Sequence, residues 1–550
     1  MSRILLLLVF FLWMSAQPAG EGAQSPSRLP ADAALRTAIF LAGYILLVAG
    51  VRAWSHLLSR RVTRNNLNAS LRRFGRVLMA ARFFVPAWFA VGLFELGWAE
   101  FARVLVQRAF GPLQLPSVLL GTLPPFVAWM GLWWSQYPAD RSLREQSLLD
   151  ELEADLPVHA PPTFRTYFLS NLRLQLLFTA VPILAIIGIR DLIAAVLRGW
   201  TGPQAEFATM LLSTGLVFVL APEILRRVLQ TQPLPDSPLR RRLEALCRRV
   251  GMRYRDILLW HTDNNMGNAA VMGIIPPVRY ILLSDLLLER MDDEQIEAVF
   301  AHEVGHVVHR HMAWYVVVIL IFMLVIVAVG QFVPDPPPAI AGIPESVIKD
   351  VLLPVAAFLG FLVYFGFLSR RFERQADVYA ARIIERNAQE RSGVRVQSSV
   401  QPAIPSSPEP GPLNPEPSAA VTDHVGEYGA TVFASALHRV ALMNNIPIGP
   451  RRTPRRGLIR RLGHVVDGFV DSLHNWLHGS IHHRMAYLRG LSTDPAATTR
   501  FDRFMIGLYC TLLFMLFACA AFVVASGGTS GKSSPGGAPP VSPTLMPGKM

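Results

Sequence analysis

Met312–Val333 is a stretch of 22 residues without a single charge, and it restricts the possible folds more than any other feature of the chain. As a helix it rises about 33 Å, enough to cross a hydrocarbon core of about 30 Å. Inside lipid every backbone N–H and C=O must find its partner within the protein, so an isolated run of this kind has to be helical. Phe504–Val524 has the same character. Six further apolar runs are flanked by Arg, Trp or Pro: Thr37–Trp54, Phe83–Trp98, Val118–Trp134, Leu174–Ile189, Phe207–Leu225 and Val351–Leu368. The expectation is therefore a mainly α polytopic protein with about eight membrane helices.

The first residues differ from these runs. MSRILLLLVFFLWMSAQPAG has one Arg, a short apolar stretch and then small residues, so residues 1–25 are expected to form a signal peptide or a short signal anchor. Arginine sets the orientation. Arg60, Arg61, Arg64, Arg72, Arg73 and Arg76 lie between the first two membrane runs with no acidic residue among them, which assigns that loop to the cytoplasm. Alternation from there places Arg226–His311 and Arg370–Arg500, both Arg-rich, on the same side. The protein is thus expected in a cell membrane, the inner one if bacterial, with the lipid bilayer as an obligatory partner. The net charge of +13 sits beside membrane helices, where anionic headgroups account for it, and no nucleic-acid partner is expected. Cys247, Cys510 and Cys519 have no metal-binding spacing.

Along the chain, residues 26–230 carry five membrane helices, 231–311 a first polar part, 312–368 two more helices, 369–500 a second polar part, 501–526 the last helix and 527–550 a low-complexity tail. Within the second polar part, residues 387–429 shift to Ser, Pro and Gly and are expected to be a disordered insertion. In the first, LRRRLEALCRRVGMR reads as a basic helix, ILLW as a strand, and Pro276 and Pro277 as the turn of a small hairpin. Glu95, Arg190, Asp191 and Glu223 fall inside or beside membrane runs, facing either protein and water or the headgroups at helix ends.

The chemistry begins at AHEVGH, Ala301–His306. In a helix His302 and His306 stand one above the other on one face, two of the three protein ligands a catalytic zinc takes, and Glu303 is offset towards the water that would fill the fourth position. Asp292 or Asp293 is the expected N-cap. His309 cannot complete the site, because seven residues span about 10 Å along the axis; His309 and His311 are read as a basic interfacial face. The metzincin spacing fails as well, since its third histidine falls at Met312. Beyond the next two membrane runs, SRRFERQAD places Glu373 and Asp377 four residues apart. Glu373 would complete a His, His, Glu site for one zinc ion per chain, and Asp377 could accept the outer N–H of a ligating histidine. Taken without the first motif, both carboxylates read more readily as ion-pair partners of Arg370, Arg371, Arg374 or Arg382.

The pairing of AHEVGH with SRRFERQAD resembles the membrane-integrated zinc endopeptidases that include the CAAX prenyl proteases and the bacterial heat-shock membrane protease. Five membrane helices before the first motif and two between the motifs resemble the prenyl-protease branch. The resemblance implies a hollow helical bundle with a gluzincin-type α+β zinc protease domain at its cytoplasmic end. It also implies that NAAVMG, with Asn268, Ala269 and Ala270, forms an edge strand that pairs with an extended peptide. HGSIHHRMAYL is similar to the family's late H-P-x-x-x-x-R motif with Gly479 in place of proline. This would make His478 the catalytic partner of Glu303, hydrogen-bonding the scissile carbonyl or oxyanion, with His482 as rival. The implied substrate is a membrane-associated or lipidated polypeptide.

Rival readings are a site-2-type intramembrane protease, a signalling sensor with a protease-like zinc site, and a non-catalytic membrane scaffold. The first places its motif inside an apolar helix, whereas AHEVGH precedes one.

Overall fold

The structure, a computed structural model, describes residues 2–16, 29–111, 113–153, 159–197, 203–330, 347–391, 424–444, 446 and 479–527. Eight helices are long and apolar enough to cross a membrane: α2 (Ala33–Ser59), α3 (Leu67–Phe94), α5 (Gln114–Glu153), the joined α6 and α7 (Phe164–Asn171 and Phe178–Val196), α8 (Pro203–Val228), α12 (His311–Gly330), α13 (Leu353–Arg391) and α16 (Pro495–Gly527). Five precede the first motif and two lie between the motifs. Two shorter helices accompany the first group: α1 (Ser2–Ser15) and α4 (Trp98–Phe110). The former packs against α3, α5 and α7, burying Leu5, Val9, Leu12 and Trp13 in the bundle core.

The arginines expected in the first loop divide: Arg72, Arg73 and Arg76 lie on the first turns of α3. The helix begins early because LNASLRRFGRVL has no proline before its apolar part, and the single Gly75 is tolerated within it. Of the charges beside membrane runs, Asp191 accepts from the Leu115 N–H at the start of α5, 2.7 Å, where four N–H groups lack an intrahelical partner. Glu223 pairs with Arg226 and Arg227 and accepts from the Tyr280 hydroxyl. Glu95 is exposed at the C-terminal end of α3.

The polar domain is built on a four-stranded sheet of order β1-β2-β4-β3, with β1 Thr231–Pro233, β2 Asp256–Trp260, β3 Ala269–Met272 and β4 Tyr280–Ser284. β2 and β4 are parallel and β3 is antiparallel to β4, joined through a turn containing Pro276 and Pro277. The apolar runs ILLW and YILLS fill the two central positions, buried on both faces as parallel strands require. One face packs on α9 (Pro238–Arg249) and on α11 (Asp293–Val308), the other on α8.

α11 starts where Asp292 accepts from the Gln295 N–H, 2.8 Å, with Asp293 and Glu294 in the first turn against the positive end of the helix dipole. It stops at Arg310, whose left-handed φ of 55° redirects the chain into α12. α13 is continuous for 39 residues, about 58 Å, so one rod crosses the bilayer and continues into the polar domain. The helix covers the start of the segment expected to be a disordered insertion: Asn387 is helical and buried, and residues 427–429 open α14 (Glu427–Met443). The Pro-rich centre of that segment lies outside the described residues, as does the tail beyond residue 527. The remaining elements are α10 (Asp285–Arg290) and α15 (Ile481–Thr493).

Candidate metal centre

α11 lies against α13 because small residues meet at their contact. A methyl group placed at Gly305 would be 3.1 Å from Tyr379 Cδ1 and 3.2 Å from Ala376 Cα. This close approach turns the His302–His306 face of α11 onto Glu373 and Asp377. Nε2 of His302 and Nε2 of His306 are 3.2 Å apart. The Glu373 oxygens lie 3.5 Å from His302 Nε2 and 3.6 Å from His306 Nε2.

Four ligands about 2.05 Å from a tetrahedral zinc are separated by about 3.3 Å. The His302–His306 separation matches one such edge, and each histidine nitrogen is at a similar distance from one oxygen of the Glu373 carboxylate, Oε2 for His302 and Oε1 for His306. Nδ1 of His302 is 3.0 Å from Asp377 Oδ1, and Nδ1 of His306 is 2.8 Å from Nδ1 of His311. With both outer nitrogens turned to partners, both inner nitrogens present lone pairs at one point, beside a carboxylate. A cation reconciles three such donors. The charges agree: Glu303, Glu373 and Asp377 against Arg484 sum to 1 − 3 = −2, which a divalent ion cancels. Among the described residues, this triad is the group of metal-binding side chains close enough to share an ion. Helix length sets its depth. Glu373 lies 20 residues, about 30 Å, from the start of α13, and His306 is five residues before α12 begins. The centre therefore sits at the polar ends of two membrane helices.

Arg484 was legible only as a spacing in the late motif, and the structure gives it a partner. From α15 its Nε and Nη2 grip Asp377 at 2.8 and 2.5 Å, and Nη1 is 3.5 Å from Glu373. Burial works against a charged guanidinium, but the two carboxylates outweigh it and raise its pKa. For His302, burial lowers the pKa and the hydrogen-bonded carboxylates of Asp377 and Glu373 raise it further, to about 9 in the metal-free protein. The His302 ring also stacks on Phe433 of α14, with centroids 5.7 Å apart.

The expected interfacial position of His311 is incorrect. The αL turn at Arg310 swings this ring inward, where it is fully buried, stacked on Phe372 and bonded to His306. Periodicity cannot detect a residue placed by a break between two helices. His309 is half-buried at the end of α11, with its pKa lowered by burial and by Arg382.

A cleft of about 960 Å³ opens onto the triad, with Glu303 on its wall and a lining that is mostly apolar. Asn268, Ala269 and Ala270 border it, β3 being the free edge of the sheet. The Ser284 N–H donates to the Asn268 carbonyl, 3.0 Å. In an antiparallel ladder alternate residues bond the partner strand, so Ala270 bonds β4 while Ala269 and Val271 present their N–H and C=O to the open side. Asn444 clamps the strand's entry, accepting from the Gly267 N–H and donating to the Gly267 carbonyl. His478 lies outside the described residues. Its rival His482 is exposed on α15 and does not line the cleft.

Fold and site together describe a polytopic helical protein with a candidate His, His, Glu metal centre at the ends of its membrane-length helices. Residues 233–447 match the model of Peptidase family M48. It is 32% identical over 135 residues to the protein "Protease HtpX homolog" of Aeropyrum pernix (24% of this chain, 40% of the relative). It is 29% identical over 166 residues to "CAAX prenyl protease 1 homolog" of Arabidopsis thaliana (28% and 38%). The chain spans about two fifths of the length of these relatives. The crystal structure of S. mikatae Ste24p aligns over 82% of this chain and 98% of its own, with 16% identity and a TM-score of 0.35.

Proposed function

We propose that the protein is a zinc-dependent integral-membrane endopeptidase that hydrolyses peptide bonds of membrane-associated or lipidated polypeptides. The observation that carries this reading is the convergence of His302, His306 and Glu373, with the two Nε2 atoms 3.2 Å apart and each within 3.6 Å of a Glu373 oxygen. These three residues would hold one zinc ion per chain. When bound, zinc polarises the scissile carbonyl and lowers the pKa of the attacking water towards neutrality.

Glu303 takes the proton from that water and delivers it to the leaving amine. The open edge of β3 receives the substrate as an added strand, through the outward backbone groups of Ala269 and Val271. Asp377 orients His302, and Arg484 keeps Asp377 ionised. His478 is retained as the hydrogen-bond donor to the oxyanion on the strength of the late motif. An apolar lining reaching Tyr315 and Phe365, on membrane helices α12 and α13, favours substrates that enter from the bilayer.

The arginine pattern supports a cytoplasmic position for the centre. Residues 1–25 would direct the chain to the membrane, and the buried face of α1 favours an uncleaved anchor. The test is Glu303→Gln in the full chain. The variant should retain zinc, lose cleavage of membrane polypeptides in cells, and lose peptide hydrolysis in purified form. Proteolysis at the wild-type rate would falsify the assignment.

A further inference from the structure

We propose that His311 is a positioning residue of the metal centre, dictating the tautomer of His306 and coupling it to the last membrane helix. The inference rests on the zinc reading above and assigns a role to a residue outside the ligand set. His311 Nδ1 is 2.8 Å from His306 Nδ1, and His311 Nε2 is 2.9 Å from Gln375 Oε1. The same amide oxygen accepts from the Tyr509 hydroxyl of α16 at 2.5 Å.

With the Gln375 amide oxygen turned to Nε2 and both rings neutral, proton bookkeeping along this chain has one solution. The amide oxygen only accepts, so His311 carries its hydrogen on Nε2. Its Nδ1 is then an acceptor, which requires His306 to carry hydrogen on Nδ1. His306 is left with its lone pair on Nε2, the nitrogen that faces His302 and Glu373. The orientation of a metal ligand is thus imposed by an amide on α13 and a phenol on α16.

The rings have little freedom to depart from this arrangement. His311 is fully buried, and its ring lies parallel to Phe372 at 8°, with centroids 4.6 Å apart. The αL conformation of Arg310 fixes its approach. The two ligands therefore have unlike supports. His302 leans on the carboxylate of Asp377, whereas His306 leans on a neutral imidazole, which orients the ring without adding a third buried negative charge beside Glu373. Such outer partners are worth about 10- to 100-fold in metal affinity.

The test uses the full chain in detergent with zinc and, separately, cobalt as probes. Wild type, His311→Ala, His311→Asn and Tyr509→Phe are compared by chelator competition and by the visible absorption of the bound cobalt. His311→Ala should weaken zinc binding by about 10- to 100-fold and shift the cobalt bands. His311→Asn, whose Oδ1 falls near the lost Nδ1, should restore most of both, and Tyr509→Phe should cause a smaller loss in the same direction. Far-UV circular dichroism reports folding, and Tyr509→Phe and His311→Asn keep the question open to measurement if the alanine variant does not fold. Unchanged affinity and spectrum in folded His311→Ala overturns the role, as does an asparagine variant as impaired as alanine. A wild type that binds neither metal overturns the underlying zinc reading, and is told apart because no variant comparison then arises.

Discussion

Side-chain volume at Gly305 should control whether the metal centre exists. Its Cβ would stand 3.1–3.4 Å from Tyr379 and Ala376, about 0.1–0.4 Å inside the shortest comfortable separation of carbon atoms, about 3.5 Å. Gly305→Ala therefore adds about 1–3 kcal/mol of overpacking, offset by about 1 kcal/mol of helix propensity. It should fold, with zinc binding weakened by up to about tenfold as the Glu373 edges lengthen towards about 4 Å.

Gly305→Leu goes further. Interaxial distances run from about 8 to 10 Å according to the side chains at the contact, so a leucine at a Gly–Ala crossing separates α11 and α13 by about 2 Å. The edges of 3.5 and 3.6 Å then become about 5.5 Å. Two ligands on one zinc are never more than about 4.4 Å apart even in line, so Glu373 drops out. Zinc content after dialysis, with cleavage of a peptide substrate, reads the result: a graded loss from Gly to Ala to Leu. A leucine variant with wild-type zinc affinity and activity would refute the argument that this helix contact assembles the centre.

Three further outcomes follow from the same geometry. Asp377→Ala strands the buried Arg484, whose bidentate partner it removes. It should cost about 3–5 kcal/mol in chemical denaturation, and the added change Arg484→Met should recover much of that; an additive double variant argues against the pair. In metal-free protein the raised His302 pKa, about 9 against 6.5, contributes stability that is complete below pH 6.5 and is lost as pH rises through 9. Thermal midpoints after chelation should fall across that window and stay level with zinc present, where the ring is neutral throughout; a flat metal-free profile contradicts this. Val271→Pro removes an N–H from the open edge of β3 while sparing the ladder to β4, so it should raise KM with little loss of stability, whereas Ala270→Pro should destabilise the sheet. Equal effects on both counts would mean that the strand does not pair with substrate.

Much of the architecture was readable because lipid permits few solutions. An uncharged run the thickness of the bilayer has to be a helix, and the eight runs expected are the eight helices found. AHEVGH was readable for a related reason: a helix of 3.6 residues per turn stacks residues four apart without help from the rest of the chain. The N-cap at Asp292 and the turn at Pro276 and Pro277 are likewise decided within a few residues.

What needed the tertiary structure is everything joined across long separations. Glu373 and Asp377 had two local readings, as ligands or as partners of neighbouring arginines. Only the packing of α11 on α13 at Gly305 turns them onto His302 and His306, while Asp377 takes its arginine from α15, 107 residues away. His311 was misread because its position depends on one αL residue between two helices, and neither helix's period carries across that break. Local sequence specifies the rods and the faces they offer. Which faces meet is decided by shape at a few small residues, since only where backbones come close can charges from distant segments share one ion.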